Sequence, residues 1–252
     1  MRRSVRARAG LLVATLLGVA LALRLGLWQL DRADQKERLQ ALVQARGSTE
    51  PLDGAGLLRL CCSDPEVLFY RPARLRGTWV PEHTVFLENR QMGGRPGFFV
   101  VTPLRLEGRP DAVLLVQRGW APRDSDVRTR LPVLATPAGP VDLAGLIAPP
   151  PARLYEFSAA ASGPIRQNLD LPAFAAQTGL GLLSVSLQQR DPPRGDAAGT
   201  RAGDRLLRQW PQPTVDVQKH YGYAFQWFAL GALMAGLYVW FQLVRPWRGR
   251  LG

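Results

Sequence analysis

Two uninterrupted apolar runs stand at the ends of a chain whose middle is patterned in short alternating stretches. From Tyr221 to Val244 the run YGYAFQWFALGALMAGLYVWFQLV carries no formal charge over 24 residues. As a helix rising about 1.5 Å per residue it spans roughly 36 Å, enough to cross a hydrocarbon core of about 30 Å with some tilt. The other run, Gly10 to Leu23, reads GLLVATLLGVALAL. Fourteen apolar residues suit the core of a signal peptide, and Ala20-Leu21-Ala22 offers an A-x-A cleavage site. Apolarity resumes after Arg24 as Leu25-Gly26-Leu27-Trp28, with Trp28 suited to an interface and the Arg24 stem able to snorkel outward. The pattern predicts an uncleaved anchor over residues 10–30, with a cleaved signal as the alternative, and a second span over 220–244.

Between these runs the period changes. After Trp28, Leu39, Leu42 and Val43 recur at helical spacing, so the first span is expected to continue as a helix. Residues 48–56 read as loop. Short β-like runs follow at Ala73–Val80, Thr84–Met92, Phe98–Leu106, Ala112–Ala121 and Val141–Ala148, then at Leu182–Gln189 and Leu206–Trp210. Met92-Gly93-Gly94-Arg95-Pro96-Gly97 marks a turn, and Pro172 to Gly179 a short helix with proline at its start and glycine at its stop. Arg190–Asp204 reads as a polar loop. The predicted architecture is a membrane protein whose two transmembrane helices flank a β-rich α+β extracytoplasmic domain.

Charge gives this frame a direction. Arg2, Arg3, Arg6 and Arg8 precede the first span, and Arg245, Arg248 and Arg250 follow the second. Residues 31–219 hold 24 of the 32 Lys and Arg and all 20 Asp and Glu, a nearly balanced stretch. Basic residues beside spans stay in the cytoplasm. Tails 1–9 and 245–252 are therefore expected inside, and residues 31–219 outside as one folded domain. The net charge of +12 is then a topology signal and not a nucleic-acid footprint. Arginine outnumbers lysine 30 to 2, which with abundant Ala, Gly and Pro suggests a GC-rich bacterial genome.

Small residues are spaced for helix packing. Ala14, Gly18 and Ala22 form a ladder on the first span, and Gly231/Ala235 and Ala232/Gly236 are small-xxx-small pairs on the second. His220, Ala224, Trp227 and Gly231 share one face, which places an imidazole and an indole toward the partner helix. Neutral imidazole binds haem iron and metals well, and Lys219 is placed to face a propionate. The alternative is an interfacial histidine bonded to water or lipid head groups. Cys61-Cys62 lacks the spacing of redox or zinc motifs and reads as a vicinal disulfide or as two small apolar residues. His83, beside Glu82 at a strand start, reads as an exposed turn histidine, and nothing local supports a Cys62/His83 nucleophile pair. The hydrolase, zincin and P-loop motifs do not occur, so an enzyme is the weaker class.

A series of blocks carries a resemblance. Leu25-Gly26-Leu27-Trp28-Gln29-Leu30-Asp31-Arg32 comes first, then Arg76-Gly77-Thr78-Trp79, Glu88-Asn89-Arg90 and Gly94-Arg95-Pro96-Gly97-Phe98. Thr102-Pro103-Leu104, Gln117-Arg118-Gly119-Trp120-Ala121-Pro122, Gln167-Asn168-Leu169-Asp170 and His220-Tyr221-Gly222-Tyr223-Ala224-Phe225-Gln226-Trp227 follow in order. Together they resemble the surfeit-locus (Shy) family of cytochrome c oxidase assembly factors across residues 25–245. Gln117 stands where that family usually has Asn, and Cys61-Cys62 matches none of its blocks. The resemblance implies a two-span, non-catalytic protein of the bacterial inner membrane. It would aid insertion of haem a into oxidase subunit I, with subunit I and haem a synthase as partners. The implied iron ligand is His220, with Trp227 beside the cofactor. A cofactor-free scaffold for oxidase subunits is the alternative. The strand motifs are open to structural roles or to contact with a partner or haem.

Overall fold

The computed structural model describes residues 2–61, 64–124, 126–127, 130–155, 163–190, 206–210 and 217–245. Cys62, the C-terminal tail arginines Arg248 and Arg250, and nearly all of the loop expected at Arg190–Asp204 lie outside the described residues. The chain divides into a helical unit, Met1–Leu42 with Gln212–Gly252, and a β unit, Val43–Pro211.

Helix α1 runs Arg2–Gly47 without a break, and α4 runs Val217–Val239, continuing through a π-type turn at Trp240–Val244. Both are long and apolar enough to cross a membrane. Their large side chains point outward: Leu12, Leu16, Leu17, Leu21, Phe225, Leu233 and Leu237 are all exposed, whereas Ala22, Ala33 and Ala224 are buried. A helix that buries its smallest residues and exposes its leucines is turned inside out relative to a water-soluble pair.

In the β unit six of the seven expected strands form with ends shifted by no more than three residues, and one short strand is added. They are β1 (Pro72–Trp79), β2 (Val85–Met92), β3 (Arg95–Leu106), β4 (Val113–Pro122), β5 (Pro140–Ala148), a short β6 (Ile165–Arg166) and β7 (Leu182–Gln189). The sheet order is β1-β5-β7-β4-β3-β2-β6, and β1 pairs again with β3. That last pairing closes β1, β5, β7, β4 and β3 into a five-strand ring. The twelve-residue β3 makes this geometry available. Its first half pairs with β2, from Arg95 to Val101, while Leu104–Leu106 pair with β1. Leu75, Trp79, Leu104, Leu114, Val116, Ile147, Val185 and Leu187 fill one side. Phe174 of α3 (Leu171–Thr178) covers Leu87, Val101 and Leu115 on another face. β4 is therefore buried from Val113 to Ala121, and its sequence loses the two-residue alternation of a half-exposed strand.

Local chemistry explains the punctuation. Gly93 and Gly94 alone turn the β2–β3 hairpin, with φ of +56° and +75°, so the expected six-residue turn shrinks to the two residues that tolerate those angles. Asp170 Oδ1 accepts from the Ala173 amide at 3.0 Å to start α3, and Gly179 ends it at φ +69°. Two expectations need correction. The stretch read as loop gives way at Gly54 to a helix, α2 (Gly54–Leu60), capped by Asp53 Oδ1 accepting from the Gly56 amide at 2.7 Å. Two glycines in so short a helix concealed it. Leu206–Trp210 is not a strand but a single bridge, Leu207 to Trp120, because Trp210 turns in to donate its indole N–H to the Gln189 carbonyl at 2.8 Å.

Candidate functional site

The two long helices meet along rungs that rise through the helical unit. A Cβ on Gly18 would lie 3.2 Å from Met234 Sδ, and one on Gly231 would lie 3.5 Å from Ala22 Cβ. At Gly26 a Cβ would come within 2.5 Å of the Phe228 ring, so this position admits only glycine while Phe228 keeps its place. The ladder expected at Ala14, Gly18 and Ala22 thus packs through its last two members and extends to Gly26. Ala14 is exposed.

Above Gly26 the rungs become polar. His220 Nδ1 stands 2.7 Å from Gln29 Oε1, and the Tyr221 hydroxyl donates to Glu37 Oε1 at 2.8 Å. Ala33 is fully buried between these two bonds. With the amide oxygen as acceptor, Nδ1 carries the imidazole proton and Nε2 carries the lone pair. A histidine that donates one ring nitrogen to an oxygen and presents the other is the arrangement that orients metal-ligating histidines. The residues therefore fit the chemistry of an axial haem ligand.

His220 and Trp227 lie on one face of α4, as their spacing implied, with Ala224 and Gly231 buried between and beyond them. Trp227 is half-buried. Lys219 is exposed beside His220. Trp28 precedes Gln29 on α1 and is 47 % exposed, with the Arg32 guanidinium 5.7 Å from its ring centroid. Trp28 thus stands at the level of His220, as expected from the run of the two helices. The residue that meets the imidazole is its neighbour Gln29. Gln29 and Gly26 escaped the residue-by-residue reading, although Gly26 continues the i, i+4 series from Ala22 and Gln29 follows three positions later.

The remaining motif residues lie in the β unit, and their contacts build the fold. Arg118 is the extra residue of a bulge in β4, since Val101 pairs with Gln117 and Val100 with Gly119. Its guanidinium lies 4.7 Å from the Trp79 ring centroid and donates to Thr136 Oγ1 and the Ala135 carbonyl at 2.7 and 2.8 Å. Arg90 donates from Nη2 to the carbonyls of Ala152 and Gln167 at 2.7 and 3.1 Å. Burial pushes its guanidinium below the ordinary arginine value. Asn89, beside a second register shift, takes φ +58°, a left-handed conformation that asparagine tolerates. Asn168 clasps Leu154, accepting from its amide at 2.7 Å and donating to its carbonyl at 2.8 Å. Gln117 donates to Ser186 Oγ at 2.8 Å. These side chains pin the segments between strands.

Cys61 is buried at the end of α2, its Sγ 3.5 Å from the Leu58 carbonyl. His83 closes a short turn at Pro81–His83, and Cys62 lies outside the described residues. Among the described residues no three His, Cys, Asp or Glu side chains cluster as a metal site.

Comparison with known proteins covers both units. A SURF1-like protein of Rickettsia bellii is 26 % identical over 219 residues, 85 % of this chain and 83 % of the relative. SURF1-like proteins of Rickettsia felis and Rickettsia conorii match at 27 % over 110 residues and 29 % over 98. These shorter matches take in 43 % and 38 % of this chain and 45 % and 37 % of the relatives. The description of the SURF1 family fits residues 16–232, a span that takes in every strand, Gln29 and His220. With the ring and the Gly26–Phe228 and Gln29–His220 rungs inside that span, the chain belongs to the SURF1 family.

Proposed function

We propose that this protein is a non-catalytic membrane assembly factor for haem-copper cytochrome c oxidase, acting on subunit I as it receives haem a. Family membership supports the oxidase assembly role. The observation that carries the haem reading is the Gln29–His220 bond, which leaves Nε2 with the lone pair that iron takes. Haem a, held there, would supply an iron in need of a second ligand and a porphyrin edge for transfer. Gln29 fixes the imidazole tautomer, Lys219 offers a cation to a propionate, and Trp227 offers apolar surface on the same helix face. Haem a synthase would be the donor.

The chain would sit in the bacterial inner membrane with both termini cytoplasmic and residues 31–219 periplasmic. The seven arginines of the two tails against the balanced middle support that orientation.

A second reading, a cofactor-free scaffold for oxidase subunits, draws on the same contact. If the Gln29–His220 bond serves only to lock the helices, no haem is needed. An absorption spectrum of the full chain, purified from a cell that makes haem a, separates the two. A Soret band lost in His220→Ala, with membrane insertion intact, supports the haem reading. Protein without a Soret band, or a variant with unchanged haem content and spectrum, supports the scaffold.

A further inference from the structure

Below Gly18 a gap opens between the two helices. Met234, seated against Gly18, forms the floor of a cavity of about 400 Å³ between α1 and α4, walled by Leu11, Ala14, Tyr238, Phe241 and Gln242. That volume lies within the range of small-ligand sites, about 300–1,000 Å³. Two local features make the space. Ala14 offers one methyl where a larger side chain would fill the gap. The π-type turn at Trp240–Val244 shifts Phe241 and Gln242 off regular helical register, a distortion often found at binding sites.

The sequence around this end is cationic. The Arg245 guanidinium stands 5.9 Å from the ring centroid of Phe241, itself a wall residue. Arg8 precedes Leu11 by three positions on α1, which places it on the same side of that helix. The described residues of the helical unit near this end carry no acidic side chain: the first Asp or Glu of the chain is Asp31, and none follows Asp216. An apolar slot with Arg245 against its Phe241 wall, and Arg8 one turn from Leu11, suits a molecule with a hydrocarbon body and an anionic head.

We propose that this cavity binds an anionic phospholipid of the cytoplasmic leaflet, one acyl chain between α1 and α4 and the phosphate against Arg8 and Arg245. The proposal rests on the membrane-spanning part of the function proposed above and not on haem. Basic clefts between spans on the cytoplasmic side recruit anionic head groups, each arginine adding about 5-fold in affinity. The occupant would wedge the helices apart at this end while the glycine rungs hold them together at the other.

The test is native mass spectrometry of the full chain in detergent with phosphatidylglycerol or phosphatidylcholine of identical acyl chains. Phosphatidylglycerol should be retained at least about 10-fold better than phosphatidylcholine. Arg245→Gln should cut that preference about 5-fold, and Arg8→Gln with it should abolish the preference. Ala14→Leu should lose both lipids, because its side chain occupies the slot. Equal retention of the two lipids by the unaltered chain overturns the proposal. So does Ala14→Leu with unchanged retention. Alkaline carbonate extraction of membranes separates the two readings. A chain released into the supernatant overturns the membrane reading and this one together, whereas a membrane-bound chain without haem leaves the lipid site standing.

Discussion

The indole nitrogen of Trp120 donates to the backbone carbonyl of Arg90, 2.9 Å away, and so links β4 to β2 across the intervening β3. Arg90 in turn holds the carbonyls of Ala152 and Gln167, so one buried indole anchors a chain of bonds across the sheet. Trp120→Phe keeps most of the ring volume but leaves that carbonyl unpaired. It should cost about 1–3 kcal/mol, read as a lower melting temperature. Trp120→Ala should cost about 3–5 kcal/mol through the added cavity. Equal melting temperatures for Trp120→Phe and the unaltered protein would show that the bond contributes nothing.

Gly26 governs the helix pair. Gly26→Leu drives a branched side chain into the Phe228 ring and should splay α1 from α4, whereas Leu16→Ala removes an outward side chain and should leave the pair alone. Cysteines at Ala22 and Gly231 report the outcome, since a Cβ on Gly231 lies 3.5 Å from Ala22 Cβ, within disulfide range. With Cys61 and Cys62 replaced by serine, this pair should crosslink readily in the parent and poorly in Gly26→Leu. A Gly26→Leu chain that crosslinks as fast as the parent would mean that the rung carries no packing constraint.

Gln29 should behave as a positioning residue for His220. Gln29→Leu removes the acceptor for Nδ1–H and should lower haem retention about 10–100-fold, while Gln29→Glu keeps an acceptor and should restore it. Haem titration followed by Soret absorbance checks both, with membrane insertion as the control. Identical haem binding by Gln29→Leu and Gln29→Glu would dissociate the bond from ligation.

Orientation is open to direct measurement. Alkaline phosphatase fused after Arg46 should be active, and fused after Gly252 inactive. Activity in the C-terminal fusion would reverse the second helix. A mature protein lacking residues 1–22 would show that the first apolar run is removed.

How much of this could be read from residues alone depended on period. Short apolar runs bounded by turn residues located six of the seven strands; alternation is plain where one face meets solvent, as in β1, and is lost in β4, which is buried from Val113 to Ala121. β6 was invisible: two residues, Ile165 and Arg166, carry no period at all. Ring closure was equally hidden, since nothing in β1 announces that Pro72–Thr78 pair with β5 on one edge while Gly77–Trp79 pair with β3 on the other. At the helix pair, spacing found the small residues but not their partners. The Gln29–His220 bond joins positions 191 apart, and sequence spacing has no access to such a contact. The motif arginines were ambiguous for a related reason. An arginine reads the same in sequence whether it reaches a ligand or, like Arg118, a carbonyl in the next loop.

The closed ring also dictates an order of events during synthesis. β7 fills the slot between β5 and β4, and it is the last strand of the ring to be made. Until Gln189 is available, β4 and β5 each expose an unpaired edge, and the ring can neither close nor bury its lining. Closure then joins segments far apart in the chain, such as Pro72 with Leu146 and Leu115 with Ser186, a topology that folds slowly for its size. A nascent chain of this kind passes through an interval with six strands made and the ring unsealed. Quality-control proteases and holding chaperones would meet it in that interval, before any partner that needs the closed ring.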